Sequence, residues 1–417
     1  MKRRIITVTF LLPLCLVCAL LLSSCAGKQA PEASTEASTE APAVYEAVET
    51  GIESVNKYGN IILKVKPDEM QALGCEPADI VLVQIGTASM EMPVGVAYSD
   101  VDSGEPVCRY KYDDEDGDQV VLAVNAGNLA AEMGVAEIRR IDEDPGFECV
   151  WAEGFGPDTP VRVTMAQKQG FAEEYAMHRL GAVRTNDRAD YADLTDEAYA
   201  NFRVVATPGM GSGALCRSST PVDPDLNRNQ EADAALAAHG VRAIVNMANS
   251  EEVMRAFPGY ADTEYAKCEV AALNMEMDFF SDAFKEKLAN GFRFIASHEG
   301  PYLIHCKEGK DRTGFACAVL ECLMGASLAD VTADYMLTYY NFYGVTPEDA
   351  QYAAIAESNI VTSLAKAFGA SPAALAEADL KQCAADYLQG IGLSAEELAA
   401  LEANLAKDYE GAKTGEN

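Results

Sequence analysis

The chain has 417 residues and a formal net charge of −33, from 32 Lys and Arg against 65 Asp and Glu. Apolar residues make up 49% and charged residues 23%, an ordinary globular balance at a length that suits two or three domains, each with its own core. These figures exclude a basic nucleic-acid module, a disordered chain, a polytopic membrane protein and a disulfide-dense mini-scaffold.

The chain opens on an address. Lys2, Arg3 and Arg4 form a basic head, and Ile5 to Leu22 is largely apolar and uncharged. Leu22-Ser23-Ser24-Cys25 then resembles a bacterial lipoprotein processing site, so that residues 1–24 are a signal peptide and Cys25 carries the lipid. The alternative is an uncleaved anchor, since about 18 apolar residues just span a bilayer. Either way the protein is expected at the bacterial cell membrane, facing outside the cytoplasm and touching the membrane through its N-terminus only. Residues 25–47 are rich in Ala, Ser, Thr, Glu and Pro and repeat Glu-Ala-Ser-Thr. Nothing there builds a core, which predicts a disordered acidic tether.

From 48 to 165 the pattern is β. Branched runs recur at Asn60 to Val65, Asp79 to Ile85, Val94 to Tyr98, Gln119 to Val124, Val135 to Ile141 and Val161 to Met165. Turn-rich pieces such as Asp100 to Gly104 and Asp113 to Asp118 separate them. Six strands at this spacing predict a small all-β barrel or sandwich. Asn125-Ala126-Gly127-Asn128 should open a short helix that stops at Gly134. The segment resembles the C-terminal barrel of the S-adenosylmethionine hydroxide adenosyltransferases. The likeness rests on Tyr58-Gly59-Asn60, on Gly104-Glu105, and on Val124 to Asn128 with Ala130-Ala131 and Gly134 behind it. Asn56 stands where that family has an aspartate, and its catalytic domain has no counterpart before residue 48. The resemblance therefore implies a barrel with a structural or partner-binding role, and no nucleoside chemistry.

Residues 166–199 are polar and read as a connecting segment with one helix. Between 200 and 412 the pattern becomes α/β. Ala243 to Met247 and Tyr302 to His305 are short apolar strands after glycine. Asp282 to Ser297 is helical by period, with Phe284, Leu288, Phe292 and Ile295 on one face, and Asp282 is a candidate N-cap. Phe315 to Met324 reads as a buried helix, followed by helices over Ala329 to Tyr340, Pro347 to Ala367 and Ser394 to Leu405, with Gly344, Gly369 and Gly392 as breaks.

The chemistry is carried by residues 303–314, Leu-Ile-His-Cys-Lys-Glu-Gly-Lys-Asp-Arg-Thr-Gly. A buried strand feeds a tight loop that opens a helix. Such a loop aims the amides of Lys307, Glu308, Gly309 and Lys310, through to Gly314, at one point with the helix dipole behind them. A thiol at Cys306 ionises more readily in that setting. Arg312 grips two phosphate oxygens at once, Gly309 lets the backbone approach the ligand, and Thr313 donates to the sulfur when it leaves. His305 fixes the loop by hydrogen bonds.

Cys-x5-Arg-Thr in this setting is the cysteine phosphatase signature. The His-Cys-x-x-Gly-Lys-Asp-Arg-Thr-Gly form resembles the bacterial tyrosine and phosphoinositide phosphatases of the dual-specificity-like branch. Asn201-Phe202-Arg203, Leu215-Cys216-Arg217-Ser218-Ser219, Asp334-Tyr335-Met336 and Tyr339-Tyr340-Asn341 fit the same family. The resemblance implies an α/β domain with a central sheet flanked by helices, and a phosphoric monoester hydrolase working through a cysteinyl-phosphate. It implies Cys306 as nucleophile and Arg312 as phosphate binder, with no cofactor and no metal. The general acid is left between Asp278 and Asp311. Lys307 and Lys310 are either cations for a substrate with several phosphates or solvated rim residues. The substrate is accordingly a phosphorylated protein, of the phosphotyrosine type, or a small phosphoester such as a phosphoinositide or inositol phosphate; a dead fold that only binds phospho-ligands is the competing reading. Twelve cysteines without any Cys-x-x-Cys and four scattered histidines argue against zinc, and nothing in the spacing predicts a disulfide. The address itself is testable: metabolic labelling with a fatty acid is expected to mark the wild type and not Cys25→Ala, and equal labelling would overturn the lipoprotein assignment.

Overall fold

The computed structural model describes residues 46–112, 117–141, 146–180 and 184–409. The leader, Cys25, nearly all of the tether and most of the Asp113–Asp118 turn lie outside them. Residues 45–417 belong to one compact unit, which holds a barrel and a layered α/β domain.

Among the described residues, nine strands precede the α/β domain: β1 (Val48–Val55), β2 (Ile61–Leu63), β3 (Ile80–Ile85), β4 (Ala88–Gly95), β5 (Pro106–Lys111), β6 (Gln119–Val124), β7 (Ala136–Arg140), β8 (Phe147–Trp151) and β9 (Pro160–Gln167). Seven close into a barrel in the order β1-β2-β6-β5-β4-β3-β9, while β7 and β8 form a separate hairpin. The six-strand expectation is thus corrected upward, and of barrel and sandwich the barrel is what forms. Alternation puts Val81, Val83 and Ile85 of β3 inside with Ile61, Leu63, Leu122, Val161 and Val163. Val94 to Tyr98 is not a strand of its own: β4 ends at Gly95, and Tyr98–Asp100 is a 3-10 turn whose Asp100 accepts from the amides of Val96 and Ala97. The short helix is Leu129–Glu132, and its cap is Asn128, which accepts from Ala131 N at 3.1 Å.

The second sheet comprises β10 (Arg203–Val204), β11 (Leu215–Ser218), β12 (Ala243–Asn246), β13 (Glu269–Ala272) and β14 (Tyr302–His305), in the order β10-β11-β14-β12-β13. All pairings are parallel except β10 with β11. Central β14 is buried on both faces, which explains its unbroken apolar run. Tyr302 and Ile304 join the larger core with Phe284, Phe292 and Phe315, and Leu303 joins Phe202, Leu236 and Tyr265 on the other side. Helices Asp282–Ser297 and Asp311–Met324 cover the first face. The cap of Asp282–Ser297 is Ser281, which accepts from Phe284 N at 3.2 Å; Asp282 is the first helical residue.

One polar cluster is buried inside this apolar frame. Arg217 on β11 donates to Asp334 Oδ2 at 2.6 Å, and Arg203 on β10 donates to Asp334 Oδ1 at 2.8 Å. Asp334 lies on the helix Leu328–Tyr343, so the ion cluster ties the sheet edge to that helix. Burial pushes the Asp334 carboxyl up, but the two guanidiniums outweigh it and hold it below the usual range. Breaking such a cluster leaves buried charge uncompensated. Asp334→Asn is therefore expected to lower stability by about 3–5 kcal/mol in urea unfolding; a loss under about 1 kcal/mol would show that the carboxylate does not compensate the arginines.

Candidate active site

Strand β14 ends at His305 and the next helix begins at Asp311, so the intervening turn sits at the carboxyl edge of the parallel sheet, where open α/β sheets bind ligands. Every carbonyl of that turn is engaged from outside it. His305 Nδ1 donates to Cys306 O (3.3 Å), Thr220 N to Lys307 O (3.1 Å), Asn201 Nδ2 to Glu308 O (3.0 Å), Arg217 Nη2 to Gly309 O (3.0 Å) and Gly314 N to Lys310 O (2.9 Å). In a trans peptide the N–H points opposite the preceding C=O. Carbonyls held outward therefore turn the following amides inward. Among the described residues, none accepts from the amides of Lys307, Glu308, Gly309 or Lys310. Gly309 has φ +70°, and a methyl group there would overlap Ser218 O, so no other residue fits the turn.

Cys306 is a free thiol, 3% exposed, at the start of this cradle. Arg312 follows in the first helical turn and is equally buried. Its Nη1 donates to Met247 O (3.2 Å) and Met275 O (3.0 Å), which fixes the guanidinium plane. Its Nε has no protein partner, and neither has Thr313 Oγ1, which is fully buried. An unpaired buried donor costs about 1–3 kcal/mol, so these groups beside the inward amides mark a site built for an anion. Burial pulls the Arg312 pKa down, but the Tyr58 phenol, Cys306 and Asp311 outweigh burial and raise it.

His305 is fully buried between two partners. A carbonyl only accepts, so the proton is on Nδ1, and Nε2 accepts from Tyr265 O–H at 2.9 Å. Burial drives its pKa down to about 3. The ring is neutral, and what it gives the loop is hydrogen bonding rather than charge.

The charged side chains of the turn are engaged by partners around it. Glu308 pairs with Arg184 and, at 3.5 Å, with Lys310; burial raises its carboxyl, but these cations outweigh it and hold it at about 2. Lys307 pairs with Asp225 at 2.7 Å. Lys310 lies 3.9 Å from Asp311 and over the rings of Tyr339 and Tyr343. Both lysines thus already have carboxylate partners. Gly314 packs against Tyr335, where a side chain would collide.

The two candidate acids occupy different places. Asp278 accepts from Phe280 N at 3.2 Å. Phe279 beside it is stacked on Phe315 with centroids 5.0 Å apart, which anchors the segment in the core. Asp278 opens into a cavity of about 320 Å³ that also holds Lys287, and burial raises its carboxyl against the amides of Phe280 and Ser281. Asp311, whose side chain is 35% exposed, borders a gap of about 10 Å³ on its inner side, room for about one water; burial raises it too, against the pull of Lys310.

Residues that the sequence reading did not place here come from the barrel. Lys57, Tyr58 and Asn128 line the Asp278 cavity, and the Tyr58 ring centroid lies 5.9 Å from the Arg312 guanidinium carbon. The available signal was Tyr58-Gly59-Asn60 and Asn128, which served only to suggest a fold.

No curated protein matches the chain. Among solved structures, an uncharacterized conserved protein from Thermotoga maritima is 20% identical over 28% of this chain and 35% of its own, with a TM-score of 0.21. The chain thus spans about a third of that protein's length. The core catalytic domain of the PP-IP phosphatase SIW14 from S. cerevisiae, solved with citrate, is 19% identical over 36% of this chain and 82% of its own, with a TM-score of 0.25. Residues 201–407, which contain the whole cradle and the arginine cluster behind it, match the tyrosine phosphatase family. The C-terminal domain of this chain is a phosphomonoesterase-type domain of the tyrosine phosphatase family.

Proposed function

We propose that the protein is a cysteine-dependent phosphatase that hydrolyses phosphomonoesters of the phosphotyrosine type, held at the outer face of the bacterial membrane by a lipid on Cys25. The observation that carries the catalytic part is the cradle: four inward amides, an unpaired Arg312 Nε and an unpaired Thr313 hydroxyl around one buried thiol. An array of fixed donors is what phosphoryl transfer requires, because most of its catalysis is positioning and charge stabilisation.

In this reading Cys306 Sγ attacks phosphorus in line. The S–P bond forms as the ester P–O bond breaks, with the amides and Arg312 holding the equatorial oxygens. Asp278 protonates the leaving oxygen. A water deprotonated by Asp278 then attacks phosphorus and releases the thiolate and inorganic phosphate, with Thr313 donating to the departing sulfur. Asp278 is preferred to Asp311 because it lines the roomier cavity, the one that also contains Tyr58 beside Arg312; burial raises both carboxyls and so does not separate them. A single phosphate is preferred to several because Lys307 and Lys310 are already engaged by Asp225, Glu308 and Asp311. The intact Cys306, Arg312 and Thr313 favour catalysis over mere capture of phospho-ligands. The tether rests on the Lys2 to Cys25 leader alone.

Turnover of p-nitrophenyl phosphate and of a phosphotyrosine peptide tests the mechanism. Cys306→Ser is expected to abolish it. Asp278→Asn is expected to slow it about 10²–10³-fold and to remove the fall in rate toward high pH, because that fall is the deprotonation of the acid. An unchanged profile in Asp278→Asn, with the limb lost instead in Asp311→Asn, would transfer the role to Asp311.

A further inference from the structure

The barrel meets the phosphatase domain beside Arg312 and beside the Asp278 segment. The turn joining β1 to β2 carries Lys57 and Tyr58, and it is locked. Asn56 Oδ1 accepts from Tyr58 N (2.9 Å) and Asn60 N (3.2 Å), and Gly59 N donates to Asn56 O at 2.9 Å. Gly59, at φ +78°, lies so close to Asn128 that any side chain there would overlap the Asn128 amide. Ala130 N closes the turn from below by donating to Gly59 O at 3.0 Å. Tyr58 is thus presented rigidly beside Arg312.

The acid segment is tied to the same domain. Phe279 N, next to Asp278, donates to Ala126 O of the barrel at 3.3 Å. Ser103 N donates to Ser358 O at 2.8 Å, and Ser363 Oγ bonds Ser103 Oγ at 2.9 Å, which hold the two domains in register.

A leaving oxygen must lie beside the acid that protonates it, so the group attached to it must lie in the cavity that Asp278 opens into. The N-terminal domain supplies part of that wall: Lys57 and Tyr58 from the β1–β2 turn, Asn128 from the helix cap and Ile138 from the β7–β8 hairpin. We infer that the barrel is a built-in recognition element of the phosphatase, and that the Tyr58 ring is the wall on which an aryl leaving group, the phenol of a phosphotyrosine, is held. This rests on the phosphatase reading and on Asp278 as the acid. The volume, about 320 Å³, is at the lower end for small-molecule clefts, roughly 300–1,000 Å³. It suits a single ring. The rest of the lining, Asn128, Glu276, Ser281 and Lys287 among it, is polar, so the Tyr58 face with Ile138 near it is the surface on which a planar ring can stack in offset geometry. Lys57 lies 5.3 Å from the Tyr58 ring centroid and lines the same cavity, where its ammonium can meet an acidic group flanking the phosphotyrosine.

The test compares wild type, Tyr58→Leu and Tyr58→Phe on a phosphotyrosine peptide and a phosphoserine peptide. Tyr58→Leu is expected to lower kcat/KM about tenfold for the aryl substrate, through KM, and less than threefold for the alkyl one. Tyr58→Phe, which keeps the ring, is expected to stay within about threefold of wild type on both. An equal fall on both substrates, or a rise, would overturn the proposal: Tyr58 would then be a shield or a plug for Arg312. A measurement independent of that variant's folding is hydroxyl-radical footprinting of Tyr58 in Cys306→Ser. Phosphotyrosine is expected to protect the ring and inorganic phosphate to leave it reactive; the same reactivity with both would overturn the proposal. If the wild type turns over neither peptide, the phosphatase reading fails by itself, and the footprint still decides whether Tyr58 lines a phosphotyrosine site.

Discussion

The site depends on one constraint, which is that the carbonyls between Cys306 and Lys310 are all held outward. Amides converge on an anion only when the opposite side of each peptide is satisfied elsewhere, since an unpaired buried carbonyl would turn in and repel the ligand. The donors that satisfy them come from separated parts of the chain: Asn201 before the sheet, Arg217 on β11, Thr220 after it, His305 on β14 and Gly314 in the helix. Each donor carries its own requirement. Arg217 needs Asp334 to be buried at all, Asp334 serves Arg203 as well, and Arg203 in turn donates to Asn201 at 2.9 Å. Asn201 therefore reaches Glu308 O from a position set by the same cluster. The polar interior of the domain is one chain of dependencies that ends at the turn.

That chain explains what was legible in the sequence and what was not. The cradle was legible because strand, glycine and helix are adjacent in sequence, and local sterics decide their arrangement. Asn201, Arg203, Arg217 and Asp334 were legible only as fragments of a resemblance. Their purpose is a long-range convergence that no spacing encodes. Gln119 to Val124 and Tyr302 to His305 were found at their full length, since unbroken runs of branched or apolar residues mark fully buried strands. Val48–Val55 and Pro106–Lys111 escaped because Glu49, Glu53, Arg109 and Lys111 interrupt their apolar pattern on the face that points out of the barrel. The single helix expected over Pro347 to Ala367 starts only at Tyr352 and is interrupted by a π-turn, Glu357–Val361, where Ser358 O accepts from Ser103 N of the barrel. A domain contact decides that local geometry, and it has no local signature.

The same logic changes the meaning of the barrel motifs. Tyr58-Gly59-Asn60, Gly104-Glu105 and Asn125 to Asn128 were informative about a barrel fold. In three dimensions they gather along the seam with the phosphatase domain: Gly104, at φ +85°, lies against the Lys366 ammonium, Ala126 holds Phe279, and Asn128 clamps Gly59 under Tyr58. Residues that a fold uses for tight turns are small and polar. Those are also the residues that let another domain approach closely, so a turn signature can be retained by a fold and reused as a contact surface.

The charge of the molecule gives the site a division of labour by distance. A protein with a net charge of −33 repels anions, yet the cradle is built to hold a dianion. The two are compatible because surface charges are screened beyond about 8–10 Å at physiological salt, whereas the amides, the helix N-terminus and Arg312 act in contact and out of water. The acidic exterior thus discourages polyanionic partners and anionic lipid surfaces at long range, while the cradle acts on an anion only at short range. The pairing of Lys307 and Lys310 with carboxylates fits this division. Their charge is spent on holding the turn in shape, which leaves Arg312, unpaired at Nε, as the cation beside the inward amides.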